Sequence, residues 1–115
     1  MAEPDSAAAA VALRFNDCIN ARDLDGLAAL MTDDHTFVDA EGARVEGKPA
    51  CVDAWRGFFA AFPDYRNVFA TAETAGDVVK ITGHSECSVP ELDGPARWNA
   101  RIRHARVAQW RVFDA

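Results

Sequence analysis

The sequence predicts an α+β domain, with helices gathered at the front and a long antiparallel sheet behind. Apolar residues recur at helical spacing as far as Phe62, and strand-like runs follow from Tyr65 to Phe113. Turn residues divide those runs at Gly76-Asp77, between Pro90 and Pro95, and near His104-Ala105. The chain has 115 residues, half of them hydrophobic, which suits one domain over 1–115 with a single buried core.

Each element has its own signal. Ser6 is a suitable N-cap for a helix to about Ala21, in which Val11, Phe15, Cys18, Ile19 and Arg22 form one stripe. Asp23 caps a short second helix through Met31, carried by Leu24, Leu27 and Leu30. Thr36 to Asp39 reads as a strand, Glu41-Gly42 as a turn, and Ala43 to Glu46 as its partner. Pro49 stands at the start of a third helix with Val52, Trp55, Phe59 and Phe62 on one side, and Pro63-Asp64 ends it. The sheet then takes Tyr65 to Ala75, Val78 to Val89, Arg97 to Arg103, and Arg106 to Phe113. A curved sheet wrapped around helices leaves a concave apolar pocket, the usual place for a small ligand.

Composition narrows the function classes. The net charge of −6 argues against nucleic acid as a partner, because phosphate contacts need a basic surface. Cys18, Cys51 and Cys87 are too scattered for a zinc site; two are expected in helices and one in a strand, as reduced buried thiols. The acidic start Met1 to Asp5 lacks the basic region of a signal peptide, and Ala7 to Ala10 is too short to span a membrane. A cytoplasmic protein is expected. Nucleotide, metal and flavin signatures are missing, so no cofactor is expected.

The stretch Arg22-Asp23-Leu24-Asp25-Gly26-Leu27, with Leu30-Met31-Thr32-Asp33-Asp34, resembles the ketosteroid isomerase and SnoaL-like polyketide cyclase group of the nuclear transport factor 2-like superfamily. Gly47, Phe58-Phe59 with Phe62-Pro63-Asp64, and Gln109-Trp110-Arg111-Val112-Phe113 extend the likeness. The resemblance implies a cone-shaped, cystatin-like fold: N-terminal helices packed in a curved, mostly antiparallel sheet. It implies a hydrophobic small-molecule ligand and a homodimer formed through the outer sheet face. The fold hosts isomerases, cyclases, hydrolases and plain binding domains.

Within that resemblance Asp39 takes the place of the proton-shuttling base. Ketosteroid isomerases stabilise the enolate oxygen with a tyrosine and a protonated aspartic acid. Phe15 stands at the tyrosine's place and has no hydroxyl, while the second donor's place falls near Trp98. Limonene epoxide hydrolase sets an Asp-Arg-Asp group in the same fold, but Arg101 and Arg103 have no carboxylate beside them in their strand. SnoaL-like cyclases are the looser match, with an acid/base carboxylate and sometimes a histidine. Asp114 is expected just beyond the last strand.

The expected catalytic pair is Asp39 with His84, His104 being the alternative histidine. Phe15, Trp55, Phe59, Tyr65 and Trp98 are the expected substrate-binding residues, and no metal ligands are expected. Each has a plainer account. Asp39 precedes Ala40-Glu41-Gly42 and suits a turn cap. His35 suits a helix C-terminus or the surface, and His84 suits an exposed strand position. The aromatic residues are equally at home in a core. Arginines 97, 101, 103, 106 and 111 crowd the last hairpin, as an exposed face pairing with acidic residues does. Two functions follow: an isomerase or cyclase acting on a hydrophobic carbonyl compound, or a ligand-binding or dimerisation domain without chemistry.

Overall fold

The computed structural model describes residues 4–114, with side chains described over 7–113. Helix α1 (Pro4–Ala21) and helix α2 (Leu24–Leu30) lead into strand β1 (Met31–Val38) and strand β2 (Arg44–Glu46). Helix α3 (Lys48–Ala61) follows, then strands β3 (Arg66–Ala75), β4 (Val78–Glu86), β5 (Gly94–Arg103) and β6 (Arg106–Asp114). A single 3-10 turn, Pro90–Leu92, separates β4 from β5. The six strands form one sheet in the order β2-β1-β6-β5-β4-β3. All pairings are antiparallel except β1 with β6, where the first long strand lies parallel to the last.

Local chemistry sets these bounds. Asp23 caps α2, its carboxylate accepting from the Gly26 N–H at 2.9 Å. His104 and Ala105 have φ of 54° and 59°, the two left-handed residues of a tight hairpin turn between Arg103 and Arg106. Strand β3 carries a bulge between Phe69 and Thr71, opposite Gly83. A Cβ at Gly83 would stand 2.0 Å from the Val68 carbonyl oxygen, so glycine permits this close approach. Bulges of this kind bend a sheet and give it an inner, concave face.

The core fills that concavity. Phe15 and Ile19 of α1, Leu27 of α2, and Cys51 and Trp55 of α3 meet Val79, Ile81, Trp98, Val107 and Trp110 of the sheet. Helix α1 lies across β3 and also touches β4, β5 and β6, whereas α3 packs chiefly on α2, β1 and β2.

The structure departs from the sequence reading at several element bounds, including β5, which begins at Gly94 inside the expected loop. Strand β1 begins at Met31, which already pairs with Val107, five residues before the expected start, and its pairing with β6 is then interrupted between Met31 and Thr36. That irregularity turns both Asp33 and Asp34 to solvent while Thr32 and His35 point inward. His35 is therefore a fully buried strand residue and not a helix-terminal one. Strand β4 stops at Glu86, leaving Cys87 outside any strand. Asp114 belongs to β6, paired with Ala96, instead of lying beyond it. Helix α1 starts at Pro4, so Ser6 lies within it and not at its cap; the Ser6 side chain is outside the described residues.

Candidate active site

Because α3 leans on β1 and β2, a wedge stays open between it and the inner face of β6. A cavity of about 560 Å³ occupies this space. Its floor comes from β1 and β6, where Phe37 pairs with Trp110 and presents its side chain on the same face. Val112 continues that floor along β6, two residues on, as strand alternation requires. Its roof is Cys51, Ala54, Trp55 and Phe58 of α3, a set at one-turn spacing. Tyr65, Glu91 and Leu92 close one side, and Asp39, Ala40 and Glu41 of the β1–β2 turn form the mouth.

The aromatic residues brace one another. Phe37 and Phe58 each set an edge against Trp55 with ring centres 5.7 Å away, and Phe58 meets Tyr65 edge-on at 4.8 Å. The Trp55 indole N–H is buried with no hydrogen-bond partner among the described residues.

Asp39 is half-buried at the cavity mouth. Its Oδ1 accepts from the backbone N–H groups of Glu41 and Ala43, both at 2.9 Å. The turn is also closed through its main chain, the Asp39 N–H donating to the Ala43 carbonyl at 3.0 Å. The turn cap and the pocket position are thus two aspects of one residue. Fixing one carboxylate oxygen orients the other, and among the described residues Oδ2 accepts no hydrogen bond.

Tyr65 ends a buried polar chain. The Ser85 hydroxyl donates to the Asn67 Oδ1 at 2.8 Å, so its one proton is spent and Tyr65 donates to Ser85 at 3.2 Å. Burial pushes the Tyr65 phenol above its ordinary value. Asn67 in turn ties β3 to α1: its N–H donates to the Asn20 Oδ1, and the Asn16 and Asn20 amides donate to its carbonyl. Cys51, beside the start of α3, has its thiol pushed upward by burial, and it contacts the His35 and Val45 carbonyls.

Of the residues singled out from the sequence, Asp39, Trp55 and Tyr65 meet at this cavity. Phe15 is fully buried one layer below, its ring 4.8 Å from that of Trp110. Phe59 lies next to the cavity but does not line it; its ring is tilted against Trp55 with centres 5.5 Å apart and lies 5.6 Å beneath the Arg22 guanidinium. Trp98 is sealed in the core against Phe69. His84 is exposed on the far face of β4 and bonds Glu86 at 3.1 Å, so it is not brought together with Asp39. His104 is exposed at its turn.

Phe37, Phe58, Trp110 and Val112 are among the lining residues that sequence reasoning did not assign to a site, as are Glu41 and Glu91. Phe58 was legible, since positions 51, 54, 55 and 58 make a helical stripe as regular as 52, 55, 59 and 62. Trp110 and Val112 share parity on β6, but only the parallel pairing with β1 directs them to this site. His35 has no such signal. Its Nδ1 donates to the Val107 carbonyl at 2.6 Å and its Nε2 is buried with no hydrogen-bond partner among the described residues. Burial holds its pKa below the ordinary value.

Comparison with known proteins agrees with this architecture. A SnoaL-like protein of unknown function from Burkholderia thailandensis superposes with a TM-score of 0.82 at 18% identity, covering 99% of each chain. A Sinorhizobium meliloti protein named as a candidate polyketide cyclase gives 0.81 at 20% identity, covering 90% of this chain and 93% of that one. A limonene epoxide hydrolase-like epoxide hydrolase from Mycobacterium tuberculosis gives 0.82 at 15% identity, covering 96% and 84%. Likeness at these identities establishes the fold alone. No curated protein matches at the level of sequence. The model of the SnoaL-like domain matches residues 12–114, nearly the whole chain, and the chain belongs to that family.

Proposed function

We propose that this chain binds a hydrophobic carbonyl compound in the cavity beneath α3 and that Asp39 moves a proton on it, as in an isomerase or cyclase. The observation that carries this reading is a carboxylate at the mouth of an aromatic cavity, with one oxygen fixed by two backbone N–H groups and the other unengaged. Such a base removes a proton from the carbon beside the carbonyl. Returning it elsewhere completes an isomerisation; letting the enolate carbon attack a second carbonyl closes a ring. The Trp55 N–H is the donor suited to the developing oxyanion. His84 has no part in this reading.

A second reading is binding without turnover. It is favoured by Tyr65, whose proton is committed to Ser85, and by Phe15, which carries no hydroxyl. Pairing of two copies through the outer sheet face fits either reading.

The test is exchange of the α-protons of cyclic and steroid-like ketones into deuterated water, followed by NMR. Binding is followed in parallel by fluorescence of the cavity tryptophans. Asp39→Asn is expected to keep binding and to lower exchange by about 10²- to 10⁴-fold, the usual contribution of a general base. Equal exchange by wild type and variant would falsify the base assignment. Binding with no exchange in the wild type selects the second reading.

A further inference from the structure

The cavity has an unusual charge balance. Its lining residues include three acids, Asp39, Glu41 and Glu91, the two glutamates solvent-exposed and Asp39 half-buried, and no lysine, arginine or histidine. Among the described residues none of the three forms an ion pair; the salt bridges that do form involve other acids. The arginines of the last hairpin alternate away from this space. Arg111 stands between the lining residues Trp110 and Val112 on β6 and lies 4.9 Å over Phe113. Arg101 and Arg103 pair with Asp77 and Asp34.

Behind the acids the walls are aromatic, from Phe37, Trp55, Phe58 and Trp110. A ring face carries negative electrostatic potential and attracts a cation that has left water behind. A low-dielectric cleft lined by one sign of charge also concentrates the opposite charge from solution. Acids at the mouth and ring faces within act in the same direction. A neutral ligand gains only apolar contact from the rings, and an anion is repelled by the acids.

Resting on the reading that this cavity is the ligand site, we infer that its ligand is an organic cation: a hydrophobic molecule bearing an amine or quaternary ammonium group. The ammonium group lies among the rings, facing the three carboxylates, and the apolar remainder fills the space under α3. For the proton transfer proposed above, the substrate is then an amino ketone and not a neutral or acidic polyketide. A cation near the carbonyl also offsets the negative charge that develops on its oxygen, a charge that neither Phe15 nor Tyr65 is placed to stabilise.

The experiment compares benzyltrimethylammonium with its neutral carbon isostere, neopentylbenzene, by tryptophan fluorescence titration of the intact chain. The cation is expected to bind at least about tenfold more tightly, the ratio that a desolvated cation–aromatic contact supplies. Added salt weakens cation binding and leaves the isostere unaffected. The Glu41→Gln and Glu91→Gln double variant is expected to lower cation affinity several-fold while retaining the isostere. Equal or tighter binding of the isostere overturns the cation inference and leaves the cavity reading standing. Binding of neither probe overturns the cavity reading itself. If the double variant loses both probes, the wild type decides: cation affinity indifferent to salt overturns the inference.

Discussion

The inner face of the sheet is covered by two helices that treat it differently. Beneath α1 the space is sealed: Phe15 is fully buried, Trp98 is 1% exposed, and Asn16 and Asn20 bond β3 through Asn67. Beneath α3 the aromatic residues line a cavity of about 560 Å³. The two helices are similarly amphipathic, so composition does not separate them. Reach does. Helix α1 spans four strands and is tied to β3 by buried amides, while α3 rests on β1 and β2 and leaves a cavity against Phe37, Trp110 and Val112. One half of the concavity is filled by packed core, and the other half keeps open volume.

The largest effect that separates the halves is in the core. Phe15→Ala is expected to cost about 3–5 kcal/mol, the usual loss when a buried phenylalanine becomes a cavity. Its ring packs on Trp110 and His35, with centre distances of 4.8 and 5.7 Å, and no part of it is exposed. Urea denaturation measures this directly. A loss below about 1 kcal/mol would show that the space under α1 relaxes as readily as that under α3, and the contrast would fail.

The two strand histidines give a smaller, pH-dependent test of the same division. His35 is buried under the closed half, with its pKa held below 6.5 by desolvation, against the opposing Val107 carbonyl contact and the nearby Asp34 charge. As pH falls through 6.5 the unfolded chain takes up a proton at this position that the folded chain refuses. Stability is therefore complete above 6.5 and declines as pH drops toward the folded-state value. Urea midpoints followed downward from neutral pH should fall; His84, by contrast, lies exposed on the outer face of the sheet. An imidazole NMR titration showing His35 protonating near 6.5 in the folded protein would refute the account.

These histidines also show how far the sequence could be read. The three helices, the hairpins and the mixed order of short and long elements follow from apolar spacing and turn residues, which act locally. Asp39 was legible for the same reason: it stands at strand parity with Phe37 and directly before a turn, and the structure uses both facts. His35 was placed at a helix end or the surface and is a buried strand residue, whereas His84 takes the plainer of its two readings, an exposed strand position. Asp33-Asp34 beside His35 looks like a polar helix end, and only the irregular parallel pairing with β6 turns the acids out and the imidazole in. His84 has the alternation of a half-buried strand, but which face is buried depends on where α1 lies. Likewise Phe59 and Phe58 are adjacent, and the rotation of α3 alone decides which of them meets the cavity. Long-range pairing and helix rotation are properties of the assembled core, and no local pattern encodes them.

The smallest expected effect on stability is also the sharpest probe of the open half. Ala54 is an exposed residue of α3 whose side chain nevertheless lines the cavity. Ala54→Trp places an indole in that space without displacing a packed group. The change should cost only about 0.5 kcal/mol, near the helix-propensity difference between the two residues. Affinity for a cavity ligand should fall by at least about tenfold, because the added ring and the ligand contend for the same volume. Denaturation and fluorescence titration on one preparation separate the two quantities. A large stability loss would mean that α3 packs as tightly as α1. Unchanged affinity with unchanged stability would mean that the ligand binds elsewhere, and the open half would then be a packing defect and not a site.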